Sequence, residues 1–405
     1  MEAGKQNQTA QYALIQGIYW MSFCIIFAYA SVYLLDRGFS NTGIGLLIGV
    51  SGTVSALLQP LIGGIADQNR KLSLKTMILL IGSLMLFAGA ALYVVKENQI
   101  LTVLFYGLEV TFLQVLTPLI YALGMGCVNR GERLNFGLAR GIGSLAYAGI
   151  SYIAGFLVAA AGTSVIPAAM AAAYAALLVA VWWFGRREDS GSGAECSKEH
   201  EKANAPTGKG SRQESFFMRY PGFFVLLIGA VLVFVSHNMI NNFAYQIMEY
   251  KGGGSSAMGT AIALAAASEL PTMFLFGWMV KKIRCDIWLK VSGLFFAIKA
   301  LATVLVSTVG GMYAIQGLQM FGFALFVVAS VYYVNAVMEE NDRVKGQAYM
   351  TMTNTLGAVL GSACGGAVID GAGIQALLIC SAAAAVGGMV LICAAAKRVP
   401  CEERA

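Results

Sequence analysis

Charge is what this sequence has least of: Asp, Glu, Lys and Arg together make up 12% of its 405 residues, about half the share that soluble domains carry. With 58% of the residues hydrophobic, there is too little polar surface to face water on all sides, which excludes an ordinary soluble protein. Histidine is nearly absent, with 2 in the chain. The 8 cysteines stand singly at Cys24, Cys127, Cys196, Cys285, Cys364, Cys380, Cys393 and Cys401. No C-x-x-C pair exists to hold a metal or form a redox couple, so neither a metal site nor a cofactor is expected. Also missing are a nucleophile beside a base and a glycine-rich phosphate loop. The sequence therefore offers no catalytic residue, and an enzyme is not expected.

What the sequence has instead is length of apolar run. A helix needs about 20 apolar residues to cross a bilayer, and about twelve such runs occur: 11 to 35, 41 to 66, 74 to 95, 100 to 127, 135 to 161, 164 to 185, 219 to 248, 256 to 280, 287 to 308, 312 to 338, 346 to 369 and 374 to 396. The first contains Ala28-Tyr29-Ala30, a signal-cleavage look-alike, but it is too long and too polar in its middle for a signal peptide. Residues 186–218 are rich in Ser, Gly and charge and cannot bury a core. His200 in this stretch reads as solvated. The segment divides the chain into a six-span unit 1–185, a cytoplasmic linker 186–218, a second six-span unit 219–397 and a tail 398–405. An all-α membrane protein with two pseudo-symmetric six-helix bundles follows.

Of the 27 Lys and Arg residues, 22 fall on the side of the N-terminus and three, Arg37, Lys96 and Lys251, on the other. Positive residues collect on the cytoplasmic side. Both termini are thus expected in the cytoplasm of a multi-pass cell-membrane protein, and the net charge of +6 calls for no nucleic acid.

Four ionisable residues lie within the spans: Glu109, Arg140, Glu269 and Lys299. A charge at that depth costs at least about 2.5 kcal/mol, so each needs a partner, a proton or a task. Glu269, in AASELPTMFLF, lies 13 residues before Lys282, and Lys299 lies 13 residues after Asp286. Both therefore sit about 20 Å from the cytoplasmic helix ends at 1.5 Å per residue, deep enough to form an ion pair. Such a pair serves either coupling or simple helix association. In the seventh span His237, Asn238, Asn241, Asn242 and Tyr245 share one broad face, which either lines water or joins helices by hydrogen bonds. Tyr19, Ser22, Tyr29 and Tyr33 recur on one side of the first span as a cavity wall or as packing. Two acids balance two bases, so a strongly charged solute would lack a counter-charge. Together with Gln114, Gln319, Tyr121, Tyr19 and Tyr29, the amides fit a hydroxyl-rich ring.

The opening YALIQGIYWMSFCIIFAYASVYLLDRGFSNTGIGLLIGV with QPLIGGIADQNRK, and later NFGLARGIGSLAYAG, SHNMINNFAYQ, SELPTMFLFGWMVKK and LQMFGFALFVVASVYYVN, resemble major facilitator superfamily transporters. The likeness is to the branch with lactose permease, nucleoside permeases and phenylpropionate-type permeases. It implies alternating access by a monomer in the inner membrane, with a small-molecule substrate and H+ as partners. By resemblance Glu269 is a sugar ligand and coupling residue, and Lys299 stands at the family's helix-nine arginine. Arg140 matches the helix-five arginine that binds substrate, although it could also snorkel to the surface. Two positions depart from the pattern: Tyr121 stands where the helix-four acid is usual, and Gln319 stands near the helix-ten histidine. Gly63, Asp67 and Arg70 resemble the gating loop between helices two and three, in which Asp67, at a helix end that disfavours anions, should find a cation. A proton-coupled sugar or nucleoside symporter is implied, with a weak-acid transporter or a lipid or lysolipid flippase as the alternatives.

Overall fold

A computed structural model of the protein describes residues 8–68, 73–95, 98–130, 132, 134–184 and 216–397. Most of the expected linker, the tail and Arg70 lie outside them. Among the described residues the regular secondary structure is all helical. The first span comprises α1 (Thr9–Phe23), a π turn (Cys24–Ala28) and α2 (Ala30–Asp36). It is followed by α3 (Asn41–Gln68), α4 (Leu74–Val94), α5 (Gln99–Asn129), α6 (Phe136–Ala161) and α7 (Val165–Trp183). Then come the short α8 (Phe216–Arg219), α9 (Pro221–Asn242), α10 (Ala244–Tyr250), α11 (Ser255–Lys282) and α12 (Cys285–Leu305). The tenth span is α13 (Val309–Gln316), a 3-10 turn (Gly317–Met320) and α14 (Phe323–Val337), and α15 (Glu340–Ala395) holds the last two. That final helix is broken at Gly373, where φ is 83°, a backbone setting that glycine reaches without strain. It is therefore two helical segments, and the twelve apolar runs correspond to twelve helical segments, most of them long and apolar enough to cross a membrane.

Several helices start where the sequence offers a cap: Ser73, Asn98, Asn135 and Thr308 each accept a hydrogen bond from the backbone N–H three residues on. The tyrosines of the first span hold it in place. Tyr12 donates to the Ile120 carbonyl at 3.0 Å, Tyr19 to Leu113 at 3.1 Å and Tyr33 to Leu92 at 3.2 Å. A hydroxyl in hydrocarbon must find such an acceptor, and these bonds fix α1 and α2 against α4 and α5.

The two groups of six helices are hydrogen-bonded to each other toward one end of the bundle, the distal end, away from Gln8 and Lys397. Glycine permits the contact. A Cβ at Gly45 would lie 2.1 Å from the Ser362 carbonyl oxygen, and one at Gly366 2.1 Å from that of Asn41. Between α6 and α11, Ser151 Oγ donates to the Gly259 carbonyl at 3.0 Å and Ser255 Oγ to that of Gly155 at 3.1 Å. The Asp370 carboxylate accepts from Asn41 N (3.2 Å) and Nδ2 (2.8 Å) and from Thr42 N (2.7 Å) and Oγ1 (2.6 Å). It thereby caps the first turn of α3 from the other group of helices, where orphan N–H groups and the helix dipole favour an anion. Among the described residues, every hydrogen bond between the groups lies toward this end.

Asp370→Asn replaces one acceptor oxygen by a donor that faces the donors of Asn41 or Thr42. The substitution should favour the state opened at the distal end by about 1 kcal/mol, roughly a five-fold gain in its population. Spin labels at the exposed Ile100 and Tyr250 report this as a longer separation in the variant, and an unchanged distance distribution would show that the clamp carries no weight.

Candidate substrate site

The seam at the distal end closes over a cavity of about 510 Å³ between the two groups of helices. Its lining is drawn from the places where helices depart from regularity. The π turn contributes Phe27 and Ala28, the α9–α10 break is flanked by Asn242 and Ala244, and the 3-10 turn contributes Gln319. Irregular backbone at membrane depth is tolerated where it lines a cavity.

One wall is aromatic. Trp20, Phe23 and Phe27 line it from the first span, with ring centroids 5.1 Å apart for Trp20 and Phe23 and 4.5 Å for Phe23 and Phe27. The Arg140 guanidinium lies over the Trp20 ring, 4.0 Å from its centroid. Its Nε donates to the Tyr121 hydroxyl at 3.1 Å and its Nη1 to Ser144 Oγ at 2.8 Å. Arg140 is thus held at the cavity by neutral partners instead of snorkelling away.

The facing wall is polar. Glu269 lines it from α11, and its Oε1 accepts from Gln319 Nε2 at 3.0 Å. Gln319 Oε1 in turn accepts from the buried Lys299 Nζ at 2.5 Å. The direct Glu269–Lys299 ion pair expected from their equal depth is therefore replaced by a bridged one. The 3-10 turn carries the Gln319 amide between α11 and α12, so acid and base communicate through it.

His237 stacks on Phe323, with centroids 4.7 Å apart and planes 5° from parallel, and its Nε2 lies 2.8 Å from Asn241 Nδ2. Asn238 Nδ2 donates to the Phe234 carbonyl at 2.8 Å. The side-chain oxygens of Asn238 and Asn241 have no protein partner among the described residues, and both side chains line the cavity. Asn242 works differently. Its Nδ2 donates to Ser362 Oγ at 2.6 Å, and its backbone carbonyl accepts from Ser31 Oγ, so it stands at the cavity's closed end as part of the seam.

Other expected residues fall elsewhere. Tyr29 is fully buried, donating at 2.5 Å to the Ser151 carbonyl. Tyr19 is buried too, so the tyrosine stripe of the first span is packing and the aromatic wall is the neighbouring Trp20-Phe23-Phe27 stripe. Both stripes recur at helical spacing, and only the positions of α4, α5 and α6 around the first span decide which one faces inward. Sequence reasoning also missed Tyr147, Asn354 and Thr355, which no local pattern singles out. Glu109 lies outside the cavity. Of the gating-loop residues, Gly63 sits in open space and Asp67 in the last turn of α3. The Asp67 side chain and Arg70 lie outside the described residues.

Residues 12–379 match the MFS_1 like family. Among solved structures, the chain superposes on the nucleoside transporter NupG with a TM-score of 0.75 at 14% identity, over 96% of this chain and 98% of that one. An auto-inhibited POT family peptide transporter gives a TM-score of 0.71 at 11% identity, covering 98% and 99% of the two chains. A bacterial homologue of the iron transporter ferroportin, in its inward-facing state, gives 0.68 at 15% identity, covering 96% and 98%. No curated protein sequence matches the chain.

Proposed function

The chain belongs to the MFS_1 like family, a membrane transporter by fold and kin, and from that premise we propose that it is a proton-coupled symporter of a neutral, hydroxyl-rich ring, a sugar or a nucleoside. The observation that carries the reading is the acceptor-rich polar wall facing an aromatic one. Glu269, Asn238 and Asn241 offer oxygens without enough protein donors, and hydroxyl groups supply donors to such oxygens. The Trp20 ring opposite suits the apolar face of a ring.

Glu269 is placed to couple. Ionised, it holds the Gln319 amide and, through it, Lys299. Protonated or bound to solute, it attracts Lys299 less, so the contacts among α11, α12 and the 3-10 turn differ between states. With both termini in the cytoplasm, as the charge asymmetry of the loops supports, the distal end is extracellular and the conformation described here is closed to the outside. Sidedness is read by impermeant thiol labelling, where an externally labelled linker would reverse it.

A second reading has its own observation. The displacement of Glu109 from the cavity leaves Arg140 with only neutral hydrogen-bonding and ring partners, so with Glu269 protonated a small organic acid could seat its carboxylate on that guanidinium. Trp20 at the wall makes the choice measurable. Quenching of its fluorescence, with Trp20→Phe as control, should report a sugar or nucleoside with a Kd between about 1 µM and 1 mM. Saturable quenching by carboxylates alone, with no response to any polyol or nucleoside, would transfer the assignment to the acid.

A further inference from the structure

Glu109 is the ionisable residue of the spans that the cavity does not use. It is fully buried, and neither side-chain oxygen has a hydrogen-bond partner. Three helices enclose it. On α4, Gly89 leaves room for the carboxyl: a Cβ there would lie 3.3 Å from Glu109 Oε1 and 3.4 Å from Met170 Cβ of α7. On α7, the Tyr174 hydroxyl adjoins the Glu109 carboxyl; it too is buried, and no well-formed hydrogen bond satisfies it. The tyrosines nearby are committed elsewhere. Tyr106, one turn before Glu109 on α5, donates to the Ile26 carbonyl at 2.6 Å, Tyr19 donates to Leu113, and Tyr33 stacks on Tyr106 and donates to Leu92. Arg37 lies beyond Tyr33, with Nη1 on the Val95 carbonyl at 3.1 Å. No salt bridge reaches Glu109 among the described residues.

An ionised carboxylate in this place would have no countercharge and at most the Tyr174 hydroxyl as a side-chain donor, and a buried charge so left is costly by several kcal/mol. Two unpartnered hydroxyl-type oxygens on facing helices are instead what a shared proton would satisfy: a protonated Glu109 donates to Tyr174, whose own hydrogen can turn back to the carboxyl oxygen. Three helices leave little room for a hydrated cation, and the proton is the ligand that needs none. We propose that Glu109 is a second proton-binding site, inside the N-terminal helices and separate from Glu269, and that it exchanges its proton when the packing of α4, α5 and α7 changes. The exchange during a cycle rests on the transport reading above; the presence of the proton does not.

Infrared spectroscopy of the purified, reconstituted protein tests both parts. The wild type should show the carbonyl stretch of a protonated carboxylic acid that Glu109→Gln removes, and the band should fade reversibly as pH is raised with the protein still folded. No Glu109-dependent band, or a band that never titrates, overturns the site. In proteoliposomes, Glu109→Gln should make solute uptake about half as steep in pH as in wild type, one proton in place of two. A profile of unchanged steepness overturns the exchange and leaves a fixed structural acid. A titrating band in a protein that moves no solute would uphold the site and remove the transport reading instead.

Discussion

Glu269→Gln should reduce steady-state accumulation of solute against a gradient by tenfold or more, about 1.4 kcal/mol of lost driving force per tenfold, while leaving the protein folded and still able to exchange solute without a gradient. The amide keeps a carbonyl oxygen where Glu269 Oε1 now accepts from Gln319 Nε2, so the local hydrogen bonding survives. What it loses is the capacity to hold a proton or a charge. Lys299, reached through Gln319, would then meet the same neutral group in every state and could no longer distinguish loaded from empty. Uptake into proteoliposomes with an imposed pH gradient, compared with counterflow without one, separates the two functions. A variant that still concentrates solute would show that coupling resides elsewhere.

Gly45→Val should be at least as severe for a different reason. The added Cβ would lie 2.1 Å from the Ser362 carbonyl oxygen and 2.9 Å from its carbon, distances that no packed structure tolerates, and the obstacle is backbone. The distal seam then cannot close. Turnover should fall by about a hundredfold, the scale of roughly 2.7 kcal/mol added to one step of the cycle, and a cysteine placed at Asn241 should become reactive to an impermeant thiol reagent from the distal side. Gly149→Ala is the control, since nothing lies within 4 Å of a Cβ there. Equal loss in the control, or an Asn241→Cys site as protected as in the parent, would overturn the steric account.

The fold was legible because the bilayer imposes one length scale on every helix, and apolar runs report it. Even the last boundary, between the runs ending at 369 and beginning at 374, coincides with the break at Gly373. The site was legible only in part. Depth along a helix can be counted from sequence, and it correctly brought Glu269 and Lys299 to one level. Rotation about the axis and local backbone irregularity cannot be counted in that way. The 3-10 turn that inserts Gln319 between them, the π turn in the first span that accompanies the change from tyrosine wall to Trp20-Phe23-Phe27 wall, and the inward-packed Glu109 all depend on such rotations. The charge count assumed that four charges at membrane depth share one cavity, and Glu109 does not line it, so a neutral solute rests on the amides and the aromatic wall instead.

The distal seam is made largely of main chain, with Gly45, Gly366, Gly155 and Gly259 facing carbonyls, and this bears on the entropy of its closure. Immobilising a long side chain costs up to about 2 kcal/mol in lost rotamers, whereas glycine has none to lose. Such a contact can be made and unmade with little conformational penalty beyond that of a few short hydroxyls and one carboxylate. The open and closed forms can then lie close in free energy, and the modest binding energy of a solute or a proton is enough to decide between them.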